Sequence, residues 1–373
     1  MAKIIALYLP QFHPIPENDG WYGKGFTEWT NVAKAKPLFP GHKQPRVPAD
    51  LGFYDLRVPE VRYAQAIMAQ KYGVDGFSFY HYWFGNGKQL LEKPFQAILA
   101  DKNYKFPFML HWANGSWSKK LWNANGTGDK LLVEQIYPGE EDAIRHFYTL
   151  LPAFKDERYI RHDGKIMFAV DLPLNSPEIE KILSLWRRLA AKEGLGEFFF
   201  IAHAAHYKES TVLSESGVEG LLGLNGLYHG AYDAIMDSQY RKVMYRNLYY
   251  KGKYKIRKKL NIPNTYNYGT TIKWVMKEYD KDERVFPEIF PRFDHSPRSK
   301  GKELIYTGCT PDLFKDYVKS ALEIVKDKKP ENQLIFIRAW NEWGEGNYLE
   351  PDTNTGLGYL EAIRGALDEF RKH

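Results

Sequence analysis

The sequence predicts a single-domain (β/α)8 TIM barrel with long loops after its strands. Eight short apolar and aromatic runs alternate with amphipathic stretches of helical length, which is the element order of a parallel α/β sheet. Polar and aromatic clusters follow several of these runs directly, as functional side chains do at the carboxyl ends of barrel strands. No Ser/Gly-rich linker, repeat or low-complexity tract divides residues 1–373, so one domain is the simplest interpretation. A doubly wound open sheet is the alternative.

The predicted strands are short and rich in β-branched and aromatic residues. We place them at residues 4–9, 76–80, 107–112, 166–170, 198–202, 220–224, 285–290 and 334–340. Helices are predicted to begin at Pro59, Ser176, Pro311 and Leu357. Ser176 is followed by two glutamates within four residues, which is typical of a helix start.

The chain is rich in aromatic residues and contains a strongly basic segment. Aromatic residues make up 16% of the chain, and the net charge is +6. Residues 241–260, RKVMYRNLYYKGKYKIRKKL, carry nine Lys/Arg and no acidic residue. We interpret them as part of a solvated basic insertion at about 237–270, with peripheral contact to a membrane surface or an acidic glycan as the alternative. No nucleic-acid motif accompanies the segment, so no nucleic-acid partner is predicted.

Several kinds of site and location are not supported by any motif. The chain has no HExxH or clustered His/Cys spacing, no G-x-G-x-x-G and no P-loop, so neither a metal nor a cofactor is predicted. With the single Cys309, no internal disulfide can form. The first residues enter a strand without a signal-type apolar region, and no apolar stretch is long enough to span a bilayer. We therefore predict a cytoplasmic location.

The loop RAWNEWGEGNYLEP carries the clearest chemical pattern. Glycoside cleavage needs a proton donor for the leaving oxygen and a second carboxylate to assist attack on the anomeric carbon. Glu342 and Glu345 supply both within one loop after an apolar strand, and Gly344 allows a tight backbone path between them. We predict Glu342 and Glu345 as catalytic residues, with Asn341 binding a hydroxyl and Trp343 stacking on a sugar ring.

Further sugar-binding side chains are predicted after the other strands and in the long first loop. Loops of that length usually have a function, although this one could merely close one end of the barrel. A lone histidine after a strand could equally be a satisfied core residue. The full set predicted to bind substrate is Trp21, Glu28, Trp29, Asn31, Tyr80, His81, Trp83, His111, Trp112, Asn114, Trp117, Asp294, Asn341, Trp343 and Glu350.

Six segments of the chain resemble a known family. ALYLPQFHPIPEND, GFTEWTNV, PADLGFYDLR, GFSFYHYWF, RYIRHDGK and AWNEWGEGNYLEPD resemble the glycoside hydrolase family 99-like proteins. They resemble more closely the WbsX-type family of bacterial O-antigen and capsule gene clusters. Family 99 contains endo-α-mannosidases with a (β/α)8 fold and metal-free chemistry. The resemblance implies a retaining, endo-acting glycoside hydrolase on α-manno-configured residues, mannose or rhamnose, of a bacterial polysaccharide or oligosaccharide.

The same resemblance implies a role for each glutamate. Glu342 would take the proton of the sugar's 2-hydroxyl, which then attacks C1. Glu345 would protonate the leaving oxygen and afterwards activate water, giving net retention through an epoxide-like intermediate. The chain departs from the family after its third strand, where Gly115 follows Asn114 in place of the usual acidic residue.

Two other functions stay open. A glycosyltransferase or transglycosylase of O-antigen or capsule biosynthesis is favoured by the basic segment and by the gene clusters of the WbsX-type family. Asp280-Lys281-Asp282 is a weak match to the Asp-x-Asp pattern with which some glycosyltransferases hold a metal and a nucleotide-sugar. A non-catalytic carbohydrate-binding barrel would be marked by loss of one glutamate of the pair, and both are present.

Overall fold

The computed structural model of the protein describes residues 2–118, 130–203, 209–222, 263–299 and 304–372, with a few positions between 252 and 260. Most of the basic segment 241–260 lies outside the described residues, and so do positions 223 and 224 of the sixth predicted strand. The prediction for the basic segment therefore stays a prediction.

Eight parallel strand positions form a barrel, which confirms the predicted fold class. The strands are β1 (Lys3–Tyr8), β2 (Gly76–Trp83), β3 (Phe108–Trp112), β4 (Lys165–Val170), β5 (Phe198–His203), β6 (Gly220–Leu222), β7 (Val285–Phe286 and Glu288–Ile289) and β8 (Leu334–Ile337). Each of β1 to β6 pairs in parallel with the next in sequence, and β8 pairs with β1. The open-sheet alternative is therefore wrong.

The ring closes through β7, which is shorter and more broken than the predicted strand 285–290. Its first segment pairs with β6 and its second pairs with β8. Pro287 separates the two segments because it has no N–H to donate to a neighbouring strand. Its carbonyl oxygen still accepts a hydrogen bond from the backbone N–H of Phe336 at 2.8 Å.

Helices cover the outside of the barrel and fill its long loops. They are α1 (Pro16–Tyr22), α2 (Glu28–Lys34), α3 (Pro59–Lys71), α4 (Lys93–Ala100), α5 (Glu140–Phe154), α6 (Ile179–Lys192), α7 (Ser210–Glu215), α8 (Tyr268–Val275), α9 (Ser296–Ser299), α10 (Pro311–Val325) and α11 (Gly358–Phe370). The predicted starts at Pro59 and Pro311 are confirmed, because proline is pre-set for the first helical position. The helix predicted from Ser176 begins only at Ile179, since a 3-10 turn at Pro173–Asn175 precedes it.

Side chains alternate between the helix layer and the barrel interior, as the period of a strand requires. Phe79 packs on Phe95 of α4 with ring centroids 5.4 Å apart, and Trp112 packs on His146 of α5 at 4.9 Å. The intervening residues Tyr80 and His111 instead contact each other at 5.1 Å, on the side of the barrel axis. This alternation decides which polar aromatics can reach a substrate at the mouth.

No described helix is both long and apolar enough to pass through a lipid bilayer.

Candidate active site

One guanidinium holds three carboxylates at the carboxyl end of the barrel. Arg298 donates from Nε to Oε1 of Glu28 at 3.0 Å and from Nη1 to Oε1 of Glu345 at 2.6 Å. Its Nη2 donates to Oε1 of Glu342 in a short hydrogen bond. All four side chains are at most 13% exposed. The structure thus brings the two predicted catalytic glutamates together on a cation that sequence analysis missed.

The two glutamates project from a tight turn after β8. Asn341–Glu342 pairs antiparallel with Asn347–Tyr348, and the residues between them form a 3-10 turn. Gly346 ends that turn in the left-handed conformation at φ 57°, which glycine adopts without steric cost. A β-carbon at Gly346 would lie 2.8 Å from Cβ of Asp294, so this position has no room for a side chain.

Three predicted substrate-binding residues instead support this turn from below. Glu350 is fully buried and accepts hydrogen bonds from Tyr54 Oη at 2.8 Å and from Trp343 Nε1 at 2.6 Å. Burial raises the pKa of Glu350 to about 7. Asn341 accepts from the backbone N–H of Leu9 at 2.7 Å, which ties the turn to β1. Glu350, Trp343 and Asn341 therefore position the loop through contacts within the protein.

The environments of Glu342 and Glu345 shift their acidities in opposite directions. Burial raises the pKa of Glu342, and the charges of Glu345 and Glu28 add to this effect against the attraction of Arg298. Burial would raise the pKa of Glu345 as well, but Arg298 and His295 hold it below the ordinary value for glutamate. These shifts favour the protonated form of Glu342 and the ionised form of Glu345. One carboxylic acid beside one carboxylate is the state that acid–base cleavage requires.

The spacing of the pair also carries chemical information. Both carboxylates are bound by the two terminal nitrogens of one guanidinium, so the two carboxyl groups are close neighbours. Retaining glycosidases hold their two carboxyl groups about 5 Å apart, whereas inverting enzymes leave room for a water at roughly 6.5–9.5 Å. The hydrogen bonds to Arg298 bring Glu342 and Glu345 together as the two carboxyl groups that glycoside cleavage uses.

The first loop packs directly against the turn that carries Glu342 and Glu345. Glu28 is the first residue of α2, and its neighbour Trp29 packs on Trp343 with ring centroids 5.3 Å apart. Asn31 donates to Oε1 of Glu28 at 3.3 Å. Trp21 is partly exposed and meets Trp117 edge-on at 6.2 Å. Of these predicted residues, Trp21 and Asn31 keep accessible surface, whereas Glu28 and Trp29 are buried in the wall.

Three of the predicted substrate residues point away from the mouth. Trp83 donates from Nε1 to Asp142 at 2.9 Å and stacks on His146 of α5 at 4.5 Å. His81 shares a 2.8 Å hydrogen bond with the same His146, and Trp112 donates to the carbonyl of Trp83 at 3.0 Å. His81, Trp83 and Trp112 each have the strand phase that faces the helices, and their role in substrate binding stays a prediction.

Asn114 and Asp294 also have protein partners in place of a substrate. Oδ1 of Asn114 accepts from the backbone N–H of Leu172 at 2.8 Å, which joins the loops after β3 and β4. Asp294 contacts His42 and Gln44, both at 2.7 Å, and so fixes part of the first loop. Both residues are at most 3% exposed. Both support the surrounding loops, and their role in substrate binding stays a prediction.

Trp117 is likewise mostly enclosed. It lies edge-on to Tyr82 at 5.0 Å and to Phe84 at 5.3 Å, within a small apolar cluster beside the main core. The residue is only 5% exposed. That Trp117 binds substrate stays a prediction.

A second polar cluster faces the axis from β3, β4, β5 and β7, and we call it the histidine cluster: His111, Asp171, His203 and Glu288. His203 contacts Asp171 through Nδ1 at 2.7 Å and Glu288 through Nε2 at 3.1 Å. Burial would lower the pKa of His203, but the two carboxylates raise it to about 9. The ring nitrogens of His111 have no hydrogen-bond partner among the described residues, and burial lowers its pKa to about 3. The cluster therefore offers a neutral imidazole next to a fixed imidazolium.

This cluster is also the place where described residues could hold a metal ion. Ligand atoms of His111, Asp171 and His203 lie within 4.8 Å of one another, and a set of two imidazoles and one carboxylate suits a transition metal. His203 already balances Asp171 and Glu288 as a cation, however. A metal would have to displace its proton.

Sequence analysis missed Arg298 and the pairing within the histidine cluster. Nothing in the local sequence around Arg298 distinguishes it from a surface arginine, because its three partners come from residues 28, 342 and 345. The histidine cluster could have been predicted from the sequence, since each member lies in or directly after a strand and has the inward phase.

The comparisons with known proteins agree with this architecture. A (β/α)8 glycoside-hydrolase-type fold is shared with the GH99 endo-α-mannosidase from Bacteroides thetaiotaomicron in complex with bis-tris-propane. The TM-score is 0.58 at 15% identity, over 99% of this chain and 97% of that one. A second structure of a GH99 endo-α-mannosidase from Bacteroides thetaiotaomicron gives a TM-score of 0.56 at 15% identity, over 99% and 97%. A protein described as glycoside hydrolase-like gives 0.57 at 14% identity, over 98% and 93%.

The chain belongs to the WbsX family, since the family described as Glycosyltransferase WbsX matches residues 4–363. The uncharacterized protein WxcX from Xanthomonas campestris pv. campestris is 36% identical over 375 residues, which cover 98% of this chain and 50% of that protein. WxcX from a second strain gives the same values. The chain spans about half the length of these relatives.

Proposed function

We propose that the protein is a retaining, endo-acting glycoside hydrolase that cleaves α-manno-configured residues, mannose or rhamnose, in a bacterial polysaccharide or oligosaccharide. The observation that carries the proposal is the pair Glu342 and Glu345, held side by side on Arg298. The supporting observation is the likeness of the whole fold to a GH99 endo-α-mannosidase.

The proposed reaction has two steps. In the first, Glu342 takes the proton of the 2-hydroxyl, O2 attacks C1, and the bond from C1 to the leaving oxygen breaks as Glu345 gives that oxygen a proton. In the second, water attacks C1 and gives a proton to Glu345, while the bond from C1 to O2 breaks and O2 recovers its proton from Glu342. Two displacements at C1 give net retention. In α-mannosides and α-rhamnosides O2 and the leaving group lie on opposite ring faces, as the first displacement requires.

These roles follow the resemblance, and they require a proton shift before the first step. The raised pKa of Glu342 favours a proton on that residue, whereas the reaction starts with the proton on Glu345. Because the two carboxylates titrate as one coupled pair, a substrate hydroxyl presented to Glu342 and a glycosidic oxygen presented to Glu345 would shift the proton between them. No other acid is needed.

The histidine cluster and Tyr80 supply the proposed sugar contacts beside the pair. The ring nitrogens of His111 lack a partner within the described part of the protein, and Asp171 is 29% exposed on its side chain. Both lie at the carboxyl ends of neighbouring strands, where barrel enzymes bind their substrates. In this proposal the cluster fixes hydroxyls of the sugar ring and leaves the bond cleavage to the glutamates.

A second candidate function is transfer of a sugar in cell-surface polysaccharide biosynthesis. The family description as a glycosyltransferase favours it. Against it, the Asp-x-Asp match is structural: Asp280 is 6% exposed and accepts from the backbone N–H of Lys277 at 2.6 Å. A retaining hydrolase can also transfer to an acceptor sugar, so a transglycosylase would use the same glutamate pair.

One experiment separates these functions. Defined α-mannosides and α-rhamnosides are incubated with the protein in EDTA, and a parallel arm offers nucleotide-sugars with Mn²⁺ or Mg²⁺. We expect cleavage in the first arm with a retained anomer in the ¹H NMR spectrum, and its loss in Glu345→Gln. Product only in the second arm, abolished by EDTA, would favour the transferase. Binding without product in either arm would leave a carbohydrate-binding barrel.

A further inference from the structure

Glu28 lies beside Glu342 and Glu345 on the same guanidinium. It is fully buried, and its Oε1 accepts hydrogen bonds from Arg298 at 3.0 Å and from Asn31 at 3.3 Å. Its Oε2 is buried without a hydrogen-bond partner among the residues that the structure describes. The third donor nitrogen of the guanidinium is thereby occupied by a carboxylate that comes from a different loop.

The position of Glu28 is enforced by the catalytic turn itself. A β-carbon at Gly344 would overlap Oε1 of Glu28 and would lie 2.7 Å from Nε of Arg298. The Glu28 carboxylate thus occupies the space where a side chain between the two catalytic glutamates would stand. This close approach keeps the third negative charge beside the pair.

The charges around the pair are therefore unequal. Two negative groups raise the pKa of Glu342. Glu345 acts from the same turn as Glu342, and Glu28 acts from the first loop. The charged and titratable groups acting on Glu342 or Glu345 are Arg298, His295, Glu28, Arg338, Tyr80 and Tyr82. Two like charges beside one carboxyl favour its protonated form.

We propose that Glu28 is a positioning residue that keeps one proton on the pair Glu342 and Glu345, by its charge and by its hold on Arg298. Glu28 is thereby a determinant of the pH at which the enzyme works. The inference rests on the proposed function only for its kinetic consequence, since the protonation of the pair can be measured without any substrate.

The primary test compares Glu28→Gln, which keeps the shape and removes the charge, with Glu28→Asp, which keeps the charge. In Glu28→Gln the alkaline limb of the kcat/KM profile should move to lower pH by about one unit, because a like charge next to Glu342 is lost. In Glu28→Asp the rate should fall while the limb stays in place. Glu60→Gln, which removes an exposed carboxylate of α3, should leave the profile unchanged.

A second variant covers the case in which Glu28→Gln does not fold. Asn31→Asp adds a negative charge next to Oε1 of Glu28, so the same limb should move to higher pH. An alkaline limb that stays in place in the charge-changing variants, or that moves equally in Glu28→Asp, would overturn the inference.

A substrate-free measurement separates this inference from the proposed function. The side-chain carboxyl signals of ¹³C-labelled glutamate are titrated by NMR, and Glu342→Gln identifies the signal of the pair. In Glu28→Gln the midpoint of that signal should fall. A shifted midpoint in a protein that cleaves no glycoside would support the inference and count against the hydrolase. An unshifted midpoint in an active hydrolase would overturn the inference and support the proposed function.

Discussion

Gly344 lies so close to the side chain of Glu28 that position 344 has room only for a glycine. A β-carbon at Gly344 would overlap Oε1 of Glu28. The contact joins the first loop to the turn that carries the catalytic pair. It explains why a glycine stands between Glu342 and Glu345.

Gly344→Ala should therefore displace the pair and reduce kcat/KM by about 10²-fold, since a shift of about 1 Å near the reacting groups has effects of this size. Steady-state kinetics on a defined α-mannoside or α-rhamnoside would measure it. Gly20→Ala is the matched control, because a β-carbon there would have no described atom within 4 Å apart from its chain neighbours and the backbone of its own helix. Full activity in Gly344→Ala would contradict the described packing.

Removal of Arg298 should destabilise the fold as well as the site. Arg298→Met leaves three buried carboxylates without their common cation, and breaking a buried ion pair in this way costs about 3–5 kcal/mol. Urea unfolding at neutral pH would measure the loss, which should shrink at lower pH as the carboxylates take up protons. Arg57→Met is the control: its pair with Asp55 is on the surface, with the Arg57 side chain 54% exposed. Its effect should be below about 1 kcal/mol.

The pair His81 and His146 predicts a loss of stability in mild acid. Burial lowers the pKa of His81 to about 3 and that of His146 well below its ordinary value. Both lowered values mean that the folded state binds fewer protons than the unfolded state. The contribution of the pair is therefore fully present above about pH 6.5 and is lost as the pH falls from there, by about 1.4 kcal/mol per unit for each histidine.

Urea unfolding between pH 7 and pH 5 would measure this slope. The double variant His81→Phe with His146→Phe removes both protonation sites, and its unfolding free energy should depend less on pH than that of the wild type. Equal slopes in the two proteins would show that the buried pair does not carry the linkage.

The sequence was sufficient for the barrel because its signals are local. Alternating strands and helices specify the fold class, and the apolar run before Glu342 places that glutamate at the end of β8. The strand predicted at 285–290 is longer than β7. The break at Pro287 depends on hydrogen bonds to two different strands, β6 and β8. Element boundaries of this kind depend on tertiary pairing.

The candidate site was only partly predictable, for two physical reasons. The strand period alone places His111 inward and Trp112 outward, so their different orientations could have been predicted from the sequence. The role of Arg298 was not predictable, because its partners lie 270, 44 and 47 residues away in sequence. Buried acids such as Glu350 resemble catalytic acids in sequence and are distinguished only by their partners.

The roles of the two glutamates predict different kinetic losses. If Glu345 is the acid, Glu345→Gln should lower cleavage of natural oligosaccharides by about 10²–10⁴-fold and spare the first step on activated aryl glycosides. Glu342→Gln should be slow on both kinds of substrate. Pre-steady-state release of the aryl group would distinguish the two, and the reversed pattern would assign the acid to Glu342, whose raised pKa favours a proton on that residue. Both variants should retain their folded circular dichroism spectrum.

In the proposed reaction, the 2-hydroxyl of the substrate is deprotonated by Glu342 and attacks C1 while Glu345 assists the leaving group. The decisive experiment compares an activated aryl α-mannoside or α-rhamnoside with its 2-deoxy counterpart on the wild-type protein in EDTA. We expect cleavage of the parent with retention, and binding of the 2-deoxy compound without cleavage. Rapid cleavage of the 2-deoxy compound, or a covalent ester trapped on Glu342, would contradict it.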